Sequence, residues 1–157
     1  MAFEVPVAQL IATVTLNLAL AIAVGAAMSS LWLSARGSAL AAVQRSRLRV
    51  ASAAAVAGAL LASGASRWLE AAEMAEVPAV AWSMLTFTHF GHAWIVGVLA
   101  LVLGALAVAM QRHGNDNRWW LFLNLSALAA FLYTRSMVSH AAAEGDFGLR
   151  TWPTGSI

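Results

Sequence analysis

Apolar and polar positions fall in blocks along this chain, with no short alternation of the two. Four long apolar runs stand out, at about residues 7–35, 50–69, 80–110 and 119–143. A bilayer core is crossed by about 20 predominantly apolar residues in a helix, and each run reaches that length. The stretches between them are polar: "RGSALAAVQRSRLR", "EAAEMAEVP" and "QRHGNDNR". The pattern predicts an all-α membrane protein, a four-transmembrane-helix antiparallel bundle forming one domain over residues 1–157. Pro78 suits the first turn of the third helix, where its missing N–H breaks no helical bond. Gly114 and Asn115 suit a tight turn before the fourth.

Composition agrees. The chain is 61% hydrophobic and 10% charged, with a mean hydropathy of +0.76; soluble domains carry about 25% charged residues. Taken alone, the sequence pI of about 10.5 suggests nucleic acid. The arginines sit between apolar runs, however, where membrane topology accounts for them, so no nucleic-acid partner is expected. With no cysteine, disulfides and thiolate metal sites are excluded. The amino terminus, "MAFEVPVAQL", lacks the basic start of a secretory signal, so the first run reads as a retained span.

Charge orients the bundle. Arg36, Arg45, Arg47 and Arg49 crowd the first connection, and Arg112 and Arg118 flank the third. Glu70, Glu73 and Glu76 occupy the second, and Glu144 and Asp146 follow the fourth run. Cytoplasmic loops collect arginine, so connections one and three face the cytoplasm and both termini face outward, into the periplasm of a Gram-negative cell. Trp32, Trp119 and Trp120 fit an inner aromatic belt; Trp68, Trp82 and Trp94 fit an outer one.

Three of the four histidines then fall at one depth. Counting outward from Arg112 reaches His89 and His92; counting outward from Trp119 reaches His140. His113 is read as a solvated turn residue. His89 and His92 lie three apart on one helical face, as do Met137 and His140 on the next helix, and Met84, Thr88 and His92 make a looser stripe. If the third and fourth helices are antiparallel neighbours, these faces meet as an outward-facing cluster of imidazole and thioether. Thioether is a soft ligand that favours Cu(I) over Cu(II), while imidazole serves several metals. Candidate metal ligands are therefore His140, His89, His92, Met137 and Met84, with Met74 and the outer glutamates behind them. Arg135 lies within the outer third of the fourth run, where an ionisable group calls for a partner; Glu70 or Glu73 would serve, or the side chain snorkels. Asn17 and Asn124, mid-span, read as polar glue between helices. The small residues of "GALLASGAS" and "GVLALVLGALA" favour close helix contact.

Residues 68–102, and the blocks within them, resemble the copper resistance protein D family of bacterial inner-membrane proteins. Thr88, Phe90, Gly91 and Trp94 match its T-x-[FY]-G-x-x-W block, and "SMVSHAAAEGDFG" resembles its S-x-x-x-x-GHAAA block, with His140 to Ala143 in place. Ser139 stands where the family has glycine. The resemblance covers about residues 60–148. It implies a multi-pass protein of the bacterial inner (cytoplasmic) membrane, engaged in copper uptake or delivery beside a periplasmic copper-binding partner, with His140 on the family's histidine. Family members usually continue into further helices, so the resemblance also implies about half the usual length. It leaves open a homo-oligomer that completes the architecture.

Other readings of the same histidines stand beside copper transport. His140 facing His89 or His92 is able to hold haem b through two axial imidazoles. A membrane copper-dependent oxidase is a further alternative, although no carboxylate is placed to support the ligands. Transport or metal binding is favoured over enzymatic activity.

Overall fold

The computed structural model describes residues 7–34, 38–74, 82, 89–112 and 118–144, with some helix-end residues described by backbone alone. They form four helices: α1 (Val7–Ser34), α2 (Ala39–Met74), α3 (His89–Arg112) and α4 (Arg118–Glu144). The first and fourth match the apolar runs within a residue. The expected start of the third span near residue 80, with Pro78, and the turn at Gly114 and Asn115 lie outside the described residues.

The second helix corrects the sequence reading. It starts at Ala39, well before the expected residue 50, and runs for 36 residues. At about 1.5 Å per residue this is about 54 Å, far more than a bilayer core requires. The start is set by Ser38, whose Oγ accepts from the Ala41 N–H at 3.2 Å and whose carbonyl accepts from the Ala42 N–H at 3.2 Å. A serine N-cap thus takes up backbone donors that the first turn leaves unpaired. Arg45, Arg47 and Arg49, expected in a loop, lie on this helical extension, and the polar composition of "QRSRLR" hid it. Arg49 Nη1 donates to the Gln111 carbonyl at 3.0 Å, tying α2 to the end of α3.

Each helix packs on two others, in the closed order α1–α2–α3–α4–α1, with α1–α2 and α3–α4 the most extensive pairs. Contacts fix the directions. On α1 and α2, Ala19 lies against Gly58, while Thr13 shares a cavity with Ser63 and Arg67, so one helix ascends as the other descends. On α2 and α3, Arg49 meets Gln111 and Ser63 meets Trp94. On α3 and α4, Gly97 meets Thr134 and Gly104 meets Asn124. All three pairs are antiparallel, which brings the start of α1 and the end of α4 to one end of the bundle.

The core is built from small residues. Ala19, Ala23, Ala59 and Ala62 pack with Leu16, Val56, Leu101, Leu128 and Phe131 at the centre. Large apolar side chains point the other way: Ile11, Leu18, Leu61, Leu99, Leu103 and Leu106 are all exposed. Water would disfavour that arrangement, whereas hydrocarbon does not; in lipid, helices gain by bringing backbones close through small side chains. Among the described residues, α1, α2 over Ala39–Ala72 and α3 over Gly91–Gln111 are long and apolar enough to cross a membrane. The fourth helix, which carries Arg118 and Arg135, is not among them.

The two mid-span asparagines part company. Asn124 is 1% exposed, inside the bundle as expected. Asn17, expected to be glue of the same kind, is exposed on the outer face of α1.

Candidate functional site

The site is built where α3 begins and α4 ends. A Cβ placed on Gly97 would lie 2.8 Å from Thr134 Oγ1 and 3.2 Å from Phe131 Cδ2. One placed on Gly104 would lie 3.2 Å from Asn124 Oδ1. The same position on Gly104 would lie 3.5 Å from the Ala127 Cβ, so from Gly97–Thr134 to Gly104–Ala127 seven residues forward on α3 correspond to seven back on α4. The antiparallel packing of α3 and α4 thus places His89 and His92 at the same end of the bundle as Met137 and His140.

What the side chains do at that end is only partly described. His92 is exposed and Met137 is half-buried. His89 and His140 lie in helices, on backbone positions alone, and Met84 lies outside the described residues. Met74 ends α2 and is likewise placed by its backbone. Among the described residues, no three His, Asp or Glu side chains converge as a metal site would require.

One turn further into the bundle lies a polar cavity of about 50 Å³ that the sequence reading did not anticipate. All four helices contribute: Thr13 from α1; Ser63, Ser66, Arg67 and Glu70 from α2; Trp94 and Gly97 from α3; Thr134 and Arg135 from α4. Arg67 Nη1 donates to Glu70 Oε2 at 2.6 Å, an ion pair between neighbours on α2. Arg135 feels both charges across the cavity. Of the partners expected for Arg135, Glu70 lines the same cavity and is held at close range by Arg67, while the Glu73 side chain lies outside the described residues; Arg135 itself lines the cavity, which sets aside the snorkelling alternative. Trp94, expected in an outer interfacial belt, is half-buried, and its indole Nε1–H donates to Ser63 Oγ at 3.3 Å. Ser66 Oγ donates to the Ser63 carbonyl at 3.2 Å and Thr134 Oγ1 to the Phe131 carbonyl at 2.8 Å.

A signal for this cavity was present in the sequence. Ser63, Ser66, Arg67 and Glu70 stand at i, i+3, i+4 and i+7, one continuous polar face on an otherwise apolar helix. Such a face within a membrane span turns inward, because hydrocarbon offers its groups no partners. Arg67 was hidden by its place among the outer glutamates.

The family model described as Copper resistance protein D-like, N-terminal domain, matches residues 4–149. The match includes α1 as well as the two blocks that carried the resemblance. No curated protein matches the chain. No solved structure matches it either.

Proposed function

The chain belongs to the copper resistance protein D-like family, and from that premise we propose that it is a copper-binding, multi-pass protein of the bacterial inner membrane. In this reading it forms one domain over residues 1–157, with four spans and both termini in the periplasm. It captures copper, as Cu(I), at its periplasmic end, and its role is uptake or delivery. The fourth span is α4, whose 27 residues extend about 40 Å and whose Arg135 is turned into the polar cavity. The acidic second connection faces outward and draws cations toward the mouth of the bundle. A periplasmic copper-binding protein exchanges metal there, and a second copy of the chain associates beside it.

The observation that supports the reading is the antiparallel packing of α3 and α4, with His89 and His92 near the start of one helix and Met137 and His140 near the end of the other. Imidazole and thioether there suit a soft monovalent ion, with Met84 as a further donor. The cavity one turn below supports capture and delivery over straight conduction. Its wall holds Arg67, Arg135, Glu70 and hydroxyl groups and none of the imidazole or thioether donors of the outer end.

The test is a Cu(I) titration of detergent-purified protein against a chromophoric chelator, with His140→Ala beside it. The expected result is about one ion per chain, with affinity reduced at least tenfold in the variant. Failure of the wild type to compete with the chelator would remove the copper site from this chain. A bis-imidazole haem spectrum in that same preparation would move the histidines to haem b.

A further inference from the structure

We propose that the outer face of α1 is the contact between two copies of this chain. The copies are related by a two-fold axis along the membrane normal, and their Asn17 carboxamides hydrogen-bond to each other. The proposal rests on the association of copies given above and assigns it a face; it makes no use of the copper site.

Asn17 is the first argument. It is exposed on α1, a helix long and apolar enough to cross a membrane. At about 1.5 Å per residue it lies about 15 Å along the axis from Val7, well inside a hydrocarbon core of about 30 Å. A carboxamide carries two N–H donors and a carbonyl acceptor. Among the described residues that of Asn17 has no hydrogen-bond partner within the chain. Hydrocarbon offers none either, and a polar group left unpaired there is costly.

The pattern around it is the second. Leu10, Val14, Asn17, Ala21, Val24 and Met28 follow one another in alternating steps of four and three. That spacing makes one continuous seam between two helices in a left-handed supercoil. Leu10, Val14 and Met28 are each more than half exposed, Ala21 is exposed and Val24 is half-buried. The seam therefore runs along the outside of the bundle, with a single polar residue near its middle. One asparagine in such a seam fixes the register and the number of chains.

Symmetry names the occupant. Copies inserted by the same charge asymmetry share one orientation, so their α1 helices run parallel and Asn17 stands at the same depth in each. A carboxamide is complementary to itself: the N–H of one Asn17 meets the carbonyl of the other. A two-fold contact joins the same patch on both copies, which this seam satisfies residue by residue. Among the described residues α1 packs on α2 and α4, while α3 stands across the ring. Association through α1 thus keeps α3, with His92, on the side away from the second copy.

The chain contains no cysteine, so single cysteines report the contact cleanly. The full chain, free of copper, is reconstituted alone into vesicles of phosphatidylethanolamine and phosphatidylglycerol and oxidised with iodine. Val14→Cys and Ala21→Cys are expected to form disulfide-linked dimers several-fold faster than Ile11→Cys and Ile22→Cys, which are also exposed but lie on a neighbouring side of α1. Energy transfer between donor- and acceptor-labelled copies, followed as the vesicles are diluted with lipid, gives the dissociation constant. Asn17→Leu is expected to weaken association about tenfold, and Asn17→Gln, which keeps the carboxamide, to stay within about threefold of the wild type. Asn17→Leu should fold as the wild type does, because its side chain lies outside the bundle; circular dichroism checks this. A dissociation constant unchanged in Asn17→Leu overturns the proposal, as do equal cross-linking rates on the two sides of α1. Monomers at every dilution overturn it together with the association of copies. Association without cross-linking at positions 14 and 21 overturns this face alone. No copper enters any of these measurements, so the outer histidines are tested separately.

Discussion

Gly97→Ala tests the seam on which the site depends. The added methyl would lie 2.8 Å from Thr134 Oγ1, 3.2 Å from Phe131 Cδ2 and 3.5 Å from Phe131 Cε2. Thr134 does not yield easily. It is β-branched and therefore stiff at χ1, and its hydroxyl is held on the Phe131 carbonyl at 2.8 Å. Forcing a methylene-sized group into a packed contact costs about 1–3 kcal/mol. Replacing glycine by alanine within a helix returns about 0.8–1.0 kcal/mol. The net expectation is a loss of about 1 kcal/mol. Thr134→Ala removes the nearest atom, so in that background the clash term shrinks and the same substitution becomes close to neutral. The coupling between the two sites is then about 1 kcal/mol, within the range of residues in direct contact. Unfolding of the two single variants and the double variant in detergent, followed by far-UV circular dichroism, reads the cycle. A Gly97→Ala protein at least as stable as the wild type would refute the close approach of α3 and α4. An equal penalty with and without Thr134 would assign that approach to the Phe131 ring.

Two further substitutions examine the fold. Asn17→Leu should change stability by less than about 0.5 kcal/mol, as expected for an exposed site, whereas Asn124→Leu should cost about 1–3 kcal/mol by overpacking against Gly104; equal effects in the same unfolding assay would contradict the opposite placements of the two side chains. Ser38→Ala should cost about 1 kcal/mol through loss of the α2 cap, seen as faster amide exchange confined to residues 39–45; protection unchanged there would show that the α2 extension does not rely on its cap.

How far the sequence reaches depends on the environment each pattern reports. Apolar runs of 20 residues and more locate helices in a membrane because the backbone has no other way to satisfy its hydrogen bonds there. α1 and α4 were accordingly legible almost to the residue. Where the helix leaves the lipid, hydropathy stops reporting and only local chemistry remains. For that reason the first turns of α2, with Arg45, Arg47 and Arg49, read as a loop. That His89, His92 and His140 stand near helix ends was legible too, since counting residues from charged anchors is counting distance along a helix.

The inward face of each helix was harder to read, and the reason is specific to lipid. In water, the apolar stripe of a helix marks the core. Here both faces are apolar, so the stripe is lost and residue size takes its place: Ala19, Ala23 and Ala59 are buried while Ile11, Leu18 and Leu61 are exposed. Polarity alone misassigns Asn17, because one polar residue fixes no face. Several polar residues on one face do fix it. Ser63, Ser66, Arg67 and Glu70 share a face of α2, and that face turns to the cavity. On α4, Thr134 and Arg135 reach the same cavity, and Arg135 alone had drawn notice because a charge in a span demands explanation. The inward side of this bundle is thus best sought by asking which face carries both the small residues and the polar ones. Applied to α3, the same test selects the side of Gly97, Gly104 and Trp94, the two glycines at the α4 seam and the indole on Ser63. His92 belongs to a different side, exposed at the end of the helix. The face beside it, lined by Ser63, Ser66, Arg67 and Glu70 across the seam, carries residues of another chemistry.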